Sequence, residues 1–212
     1  MLHTHPEIAM RLTAPVVLIA LLATFGCGDS MGPSGPSGTL NVRLTDLPFD
    51  DGMAVFVTFE EVAAHRADGE WETLAFADGG MTRTCDLKLL QNGAEDVLGT
   101  DVLLAGSYTQ IRLLVASAKL FFDNESTGPA CDAMLTEPEG ASADVNVPSG
   151  EVRLNPQGPF ELEADSTVTI LLDFDGRASI NQLGNGGYNM TPVIRIVEIN
   201  GVPEPAPEAP AE

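Results

Sequence analysis

The ten residues Ser166–Asp175, STVTILLDFD, followed by Gly176, decide how this chain is to be read. Val168, Ile170, Leu172 and Phe174 recur at every second position, the period of a β-strand with one buried face. The alternate row is Thr169, Leu171, Asp173 and Asp175, so two carboxylates share the opposite face toward the end of the strand. Positions i and i+2 of a strand lie about 6.6–6.8 Å apart. That spacing leaves three readings: a metal site, a catalytic acid pair, or a strand end that is solvated or paired with Arg177, Arg195 or Arg112.

The neighbouring segments carry the same period. TLNVRLTD (Thr39–Asp46) places Leu40, Val42 and Leu44 on one face, and DLPFDDG (Asp46–Gly52) is a turn cluster. Ala54–Asp68 opens with β-branched and aromatic residues, Asp68–Glu70 reads as a tight hairpin turn, and Leu74 and Phe76 oppose Trp71, Thr73 and Ala75. Leu103–Asp123 is the longest strand block, with Ile111, Leu113 and Val115 aligned. Asp86–Gly99 fits either a short strand with an Asn-Gly turn or one helical turn, Ala77–Asp86 reads as loop, and Asp123–Asp144 as a long loop or insertion. Val145–Leu154, Pro159–Asp165 and Met190–Asn200 complete the set. Turn-punctuated strands with little helix predict an all-β fold, a single antiparallel β-sandwich of about seven to nine strands over residues 39–201.

The ends read differently. Leu12–Gly26 is an apolar run below the roughly 20 residues a membrane-spanning helix needs, and it has the size of a secretion-signal core. Gly26 directly before Cys27 resembles the lipobox of bacterial lipoproteins, although Thr24 and Phe25 depart from the aliphatic and small residues usual there. Residues 1–26 are therefore expected to be a lipoprotein-type signal peptide, Cys27 the lipidation site, and residues 27–38 a Gly/Ser/Pro-rich tether with nothing to bury. Asp29 lies two residues after the cysteine rather than one. By resemblance to enterobacterial sorting rules this points to the outer membrane, at the cell surface or the periplasmic face. Residues 202–212, rich in Pro, Glu and Ala, are expected to form an extended, disordered tail.

Charge removes one class of partner. The chain carries 10 Lys+Arg against 31 Asp+Glu, a net −21. Loss of residues 1–26 removes Arg11 and Glu7, one charge of each sign. Such a surface repels polyanions, which excludes nucleic acid. Cys85 and Cys131 remain in an exported, oxidising setting, where an even pair predicts a disulfide, two free thiols being the alternative. A bridge across that loop contributes roughly 4 kcal/mol in the chain-entropy picture.

Several stretches taken in order resemble a known family: GTLNVRLTDLPFDD, VFVTFEEVAAHRADGEW, LLAGSYTQIRLLV, FELEADSTVTILLDFDGRASI and NGGYNMTPVIRIV. Together they are similar to the bacterial and archaeal lipoproteins grouped as domain of unknown function 4382, over about Gly38–Val197. The resemblance implies a transthyretin-like or carboxypeptidase-regulatory-like β-sandwich at the cell envelope. In LLAGSYTQIRL, Leu104 stands where those domains usually place proline. The resemblance implies no activity and no functional residues, because none is established for that family.

Catalytic motifs are poorly supported. GDSMG (Gly28–Gly32) has the spacing of a serine-hydrolase elbow but lies in the tether, without the strand and helix that expose the nucleophile. His3 and His5 leave with the signal, so His65, beside a hairpin turn, is the histidine left for a triad or a zinc site. GNGG (Gly184–Gly187) lacks the lysine and helix of a phosphate loop. Asp173 and Asp175 have a spacing a glycosidase could use, but few aromatic residues accompany them to hold a sugar. Calcium is the sharper candidate, since it takes six to eight oxygens from carboxylates and carbonyls. If the first strand and the Thr167–Asp175 strand end at one edge, Asp46, Asp50, Asp51, Asp173 and Asp175 meet there.

The expected function is thus a non-catalytic cell-envelope lipoprotein, an interaction or accessory β-sandwich with an unknown protein or glycan partner, held to the membrane through Cys27. The alternative is an extracytoplasmic calcium- or carbohydrate-binding domain that uses the acidic loop edge. No cofactor is expected beyond Ca²⁺ in that second reading.

Overall fold

A computed structural model describes residues 34–47 and 51–205. The signal segment, Cys27, most of the tether, Asp50 and residues 206–212 lie outside the described residues. In chain order the strands are β1 (Ser37–Asp46), β2 (Ala54–Arg66), β3 (Trp71–Thr73), β4 (Ala75–Phe76), β5 (Arg83–Asp86), β6 (Asp96–Leu104), β7 (Gly106–Phe121) and β8 (Cys131–Asp132). They continue as β9 (Ser142–Asn146), β10 (Glu151–Leu154), β11 (Phe160–Leu162), β12 (Thr167–Phe174), β13 (Ile180–Gln182), β14 (Tyr188–Met190), β15 (Ile194–Ile199) and β16 (Val202–Pro203). A 3₁₀ turn at Leu87–Leu90 and a single helical turn, α1 (Gly176–Ser179), are the helical elements among the described residues. No helix there is long and apolar enough to cross a membrane.

The strands form two sheets. One has the order β16-β15-β12-β1-β6-β4; the other runs β13-β14-β9-β7-β2-β5-β8, with β10 and β11 also pairing β7 and β3 pairing β2. The all-β expectation holds, but both sheets are mixed. β1 pairs β12 in parallel over eight residues, Thr39↔Thr167 to Asp46↔Phe174, and β14 pairs β9 in parallel. The strand count also exceeds the expectation, because several apparent loops contribute short ladders. Arg83–Asp86 pairs β2, and Cys131–Asp132 pairs β5. Asp86–Gly99 resolves into parts of both its alternatives: the 3₁₀ turn, then an Asn92–Gly93 turn with φ of 60° and 83°, then β6.

Alternation works as sequence patterning dictates. Leu40, Val42 and Leu44 of β1 and Ile170 and Leu172 of β12 are fully buried, and each such side chain contributes about 2 kcal/mol by burial. Facing them from the other sheet are Val55, Val57, Phe59, Ile111, Leu113 and Leu120, in one continuous core. Phe59 of β2 meets Phe174 of β12 edge-on, with ring centroids 6.4 Å apart, so the sheets interlock where β12 ends. Tyr108 is buried against Phe160 and donates its hydroxyl to the Leu104 carbonyl, which satisfies the one polar atom it takes inside.

Cys85 and Cys131 are directly opposed in the β5–β8 pair and form a disulfide. The bridge ties the segment after Phe122 to the sheet. Asp86 adds a second tie: its fully buried carboxylate accepts from the Val55 and Lys88 amides and from the Ser126 hydroxyl. Replacing both cysteines with serine is expected to lower unfolding stability by about 2–4 kcal/mol. Urea melts of the double variant and of the oxidised wild type measure this, and coincident melts would show that the bridge carries no stability.

Candidate functional site

Because β1 and β12 run parallel in register, their C-terminal ends lie together: Thr45 opposes Asp173 and Asp46 opposes Phe174. The aspartates of the two strands therefore do converge, but each enters the region differently. In β1 the buried row continues from Leu44 to Asp46, so Asp46 occupies a core-facing position at 4% exposure. Its Oδ1 accepts from the Gly176 amide at 3.2 Å, and its Oδ2 accepts from Gln91 Nε2 at 3.2 Å. One carboxylate thus joins the end of β1, the exit from the 3₁₀ turn and the entry to α1.

Asp173 faces the other way and is 3% exposed. Its cross-strand partner on β15 is Arg195, whose Nε and Nη2 donate to Asp173 Oδ2 at 3.0 and 2.8 Å. Among the arginines available to the acid pair, Arg195 is thus the one that takes Asp173. Asp175 does not sit on the strand at all. The ladder stops at Phe174, and Asp175 becomes the N-cap of α1, with Oδ1 accepting from the Ala178 amide at 2.8 Å. Ser179 completes the knot: its hydroxyl donates to the Asp175 carbonyl at 2.6 Å and accepts from the Val193 amide at 2.8 Å.

The electrostatics follow from this packing. Burial pushes the Asp46 carboxyl up to about 7; the Gln91 and Gly176 hydrogen bonds pull it down, and the nearby Asp173 and Asp175 charges raise it further. Burial also raises Asp173, against the hydrogen bond and charge of Arg195. Of the five aspartates of the calcium reading, Asp50 lies outside the described residues, and Asp51 lines a surface recess with Phe122, Ile180, Gln182 and Tyr188. Among the described residues no group of three or more His, Cys, Asp or Glu is arranged to hold a metal ion. The carboxylate oxygens of Asp46, Asp173 and Asp175 already accept from protein N–H groups, which compete with any cation.

His65 stands elsewhere, on the outer face of the larger sheet. Its Nδ1 is 3.0 Å from Thr109 Oγ1, and its ring lies 4.7 Å from that of Trp71. Among the described residues no hydrogen bond joins it to a carboxylate or a serine. Arg112 stacks over Trp71 at 4.3 Å while paired with Glu61. Gln91 and Ser179 were not visible as site residues from sequence. The available signal was local: Asp175 three positions before Ala178 is the spacing of an N-cap, which reassigns that aspartate from ligand to cap.

A carboxyl group with a folded pKa above its unfolded value binds its proton more tightly in the fold. The burial penalty of Asp46 is thus absent below about pH 4, grows as pH rises, and is complete above about pH 7. Asp46→Asn keeps an acceptor for the Gly176 amide and removes the charge. It is expected to stabilise the protein at pH 8 by on the order of 2 kcal/mol and to have little effect at pH 4. Thermal melts across that range measure the difference, and parallel curves for variant and wild type would contradict it.

The chain matches a family model, "Domain of unknown function (DUF4382)", over residues 37–192, which spans the first strand through β14 and includes Asp46, Asp173 and Asp175. No curated protein and no solved structure matches the chain.

Proposed function

Starting from a chain that belongs to the DUF4382 family, a domain of unknown function, we propose a non-catalytic module of the cell envelope that presents a β-sandwich for interaction and is held at the membrane by lipid on Cys27. The observation that carries this reading is the use made of the chain's most reactive-looking groups. Asp46 clips three elements, Asp173 neutralises Arg195, and Asp175 caps a helical turn. Each carboxylate is spent on holding strand ends, which is work for a scaffold. The outer face of the larger sheet, with the partly buried Trp71 among Arg112, Arg153 and His65, offers the mixture of aromatic and arginine side chains that dominates binding surfaces.

Two experiments test the proposal. Cys27→Ala is expected to move the protein from the membrane fraction to the soluble fraction, and membrane association that survives the substitution would sink the anchor. The calcium alternative is favoured by one observation, the proximity of Asp46, Asp173 and Asp175. Melting in millimolar Ca²⁺ and in EDTA separates the readings. The scaffold reading expects coincident curves, whereas a shift of several degrees that Asp46→Asn abolishes would replace it with a calcium-binding domain.

A further inference from the structure

A recess of about 330 Å³ lies on the outer side of the larger sheet, walled by the segment that follows β8. Strand period builds its floor. Val55 and Val57 of β2 turn into the core, so Phe56 and Thr58 turn outward. Thr58 stands opposite both Thr84 of β5 and Ser117 of β7, which lays three hydroxyls in a row across three strands. Two residues along, Phe56 opposes Lys119, and Lys119 opposes Asp144 of β9. Ala133, Met134, Leu135 and Glu137 form the wall over this floor. The wall is fixed at both ends. The Cys85–Cys131 bridge holds its start. Past its end, the Asn124 side-chain amide donates to the Glu139 carbonyl at 2.8 Å, and the Ala141 amide donates to Asp123 Oδ2 at 2.7 Å. Between these ties Leu135 packs on Phe56 and Phe121, and Lys119 Nζ donates to Glu137 Oε2 at 2.6 Å. The recess is therefore preformed, which spares a ligand the cost of ordering it.

The lining selects an occupant by what it leaves unsatisfied. Thr58 and Thr84 share one hydrogen bond at 2.9 Å, and whichever hydroxyl accepts keeps its own proton to donate. The side chains of Ser117 and Asp144 make no hydrogen bond or ion pair among the described residues. Donors and acceptors thus both face the recess, in contrast to the spent carboxylates at the end of β12. A wholly apolar molecule would strip water from these groups and return nothing. An anion meets Glu137 and Asp144 against a single ammonium that Glu137 already neutralises, in a chain of net charge −21. A cation has to compete with Lys119 for Glu137. What remains is a neutral molecule with hydroxyls on one side and C–H groups on the other. Phe56 and Leu135 give the apolar surface, and Met134, 86% exposed, adds an adaptable thioether at the rim.

We propose that this recess binds a neutral saccharide, its hydroxyls on the Thr84–Thr58–Ser117 row and Asp144, and its C–H face against Leu135, Phe56 and Met134. Asp144 accepts from a sugar hydroxyl, the free threonine proton donates to one, and Ser117 does either. The proposal names a ligand class for the interaction module described above and rests on that reading, but it does not depend on lipid at Cys27.

The test is an amide NMR titration of the full chain with methyl β-glucoside, methyl β-galactoside and N-acetylglucosamine, and with glucuronate as the charged counterpart. At least one neutral sugar is expected to give saturable shifts centred on Thr58, Thr84, Ser117 and Leu135, with weaker binding of glucuronate. Ser117→Leu fills the recess from an exposed position and is expected to weaken binding about tenfold or more. Asp144→Asn, also at an exposed position, removes one acceptor oxygen and the charge, and is expected to weaken it severalfold with the melting temperature unchanged. Absence of saturable shifts with all three neutral sugars would overturn the site. Tighter binding of glucuronate would overturn the ligand class. Binding that survives both substitutions would place the sugar elsewhere and overturn the assignment. Fractionation of Cys27→Ala reads the anchored module separately, so a recess that binds no sugar and a chain that is not anchored are distinguishable results.

Discussion

The parallel pairing of β1 with β12 is the constraint on which the rest of the structure depends. It joins residues near the start of the domain to residues near its end, and it places the two strands at the centre of the smaller sheet. β6 and β15 then add on either side, antiparallel. The two central strands supply five fully buried aliphatic side chains, and Phe174 carries the contact to Phe59 in the facing sheet. Because no local hairpin closes this pair, its loop-closure entropy must be offset by the core it completes.

Parallel pairing has a chemical consequence that antiparallel pairing would not have. Both chains leave the sheet at the same edge, so both runs of aspartate arrive together. Burying such groups is costly unless each finds donors. Gly176, Gln91, Arg195 and the turns of α1 supply them, and the edge becomes a joint rather than a pocket. Asp46 remains under strain, because its two hydrogen bonds offset burial only in part, and burial raises Asp173 as well. The opposite sheet meets the same need at Asp86, which binds two amides and a hydroxyl beside the disulfide.

Much of the fold was legible because strand period is a local property. Leu40, Val42 and Leu44, the Val168–Phe174 row and Leu74 with Phe76 all turned inward as their alternation required. The cysteine pair was also legible, from the even count of cysteines in the domain. Three features were not. Asp46 looked like the start of a polar loop, but it continues the inward row of β1. Asp175 looked like the strand partner of Asp173, but the ladder ends one residue earlier and the side chain turns to cap a helical turn. Val202–Pro205 looked like tail, because hydropathy does not register a segment held by backbone pairing and by Gln157.

By itself the sequence determined an all-β domain, its inward rows, its cysteine pair and its net acidic charge. These follow from period, composition and charge, which need no knowledge of distant neighbours. Only the tertiary structure decided that β1 lies parallel to β12, that the aspartates are spent as clips, and that Val202–Pro205 folds back on β15 and reaches Gln157. Those outcomes depend on which strands become neighbours, and that choice is made by the free energy of one shared core rather than by any local stretch of residues.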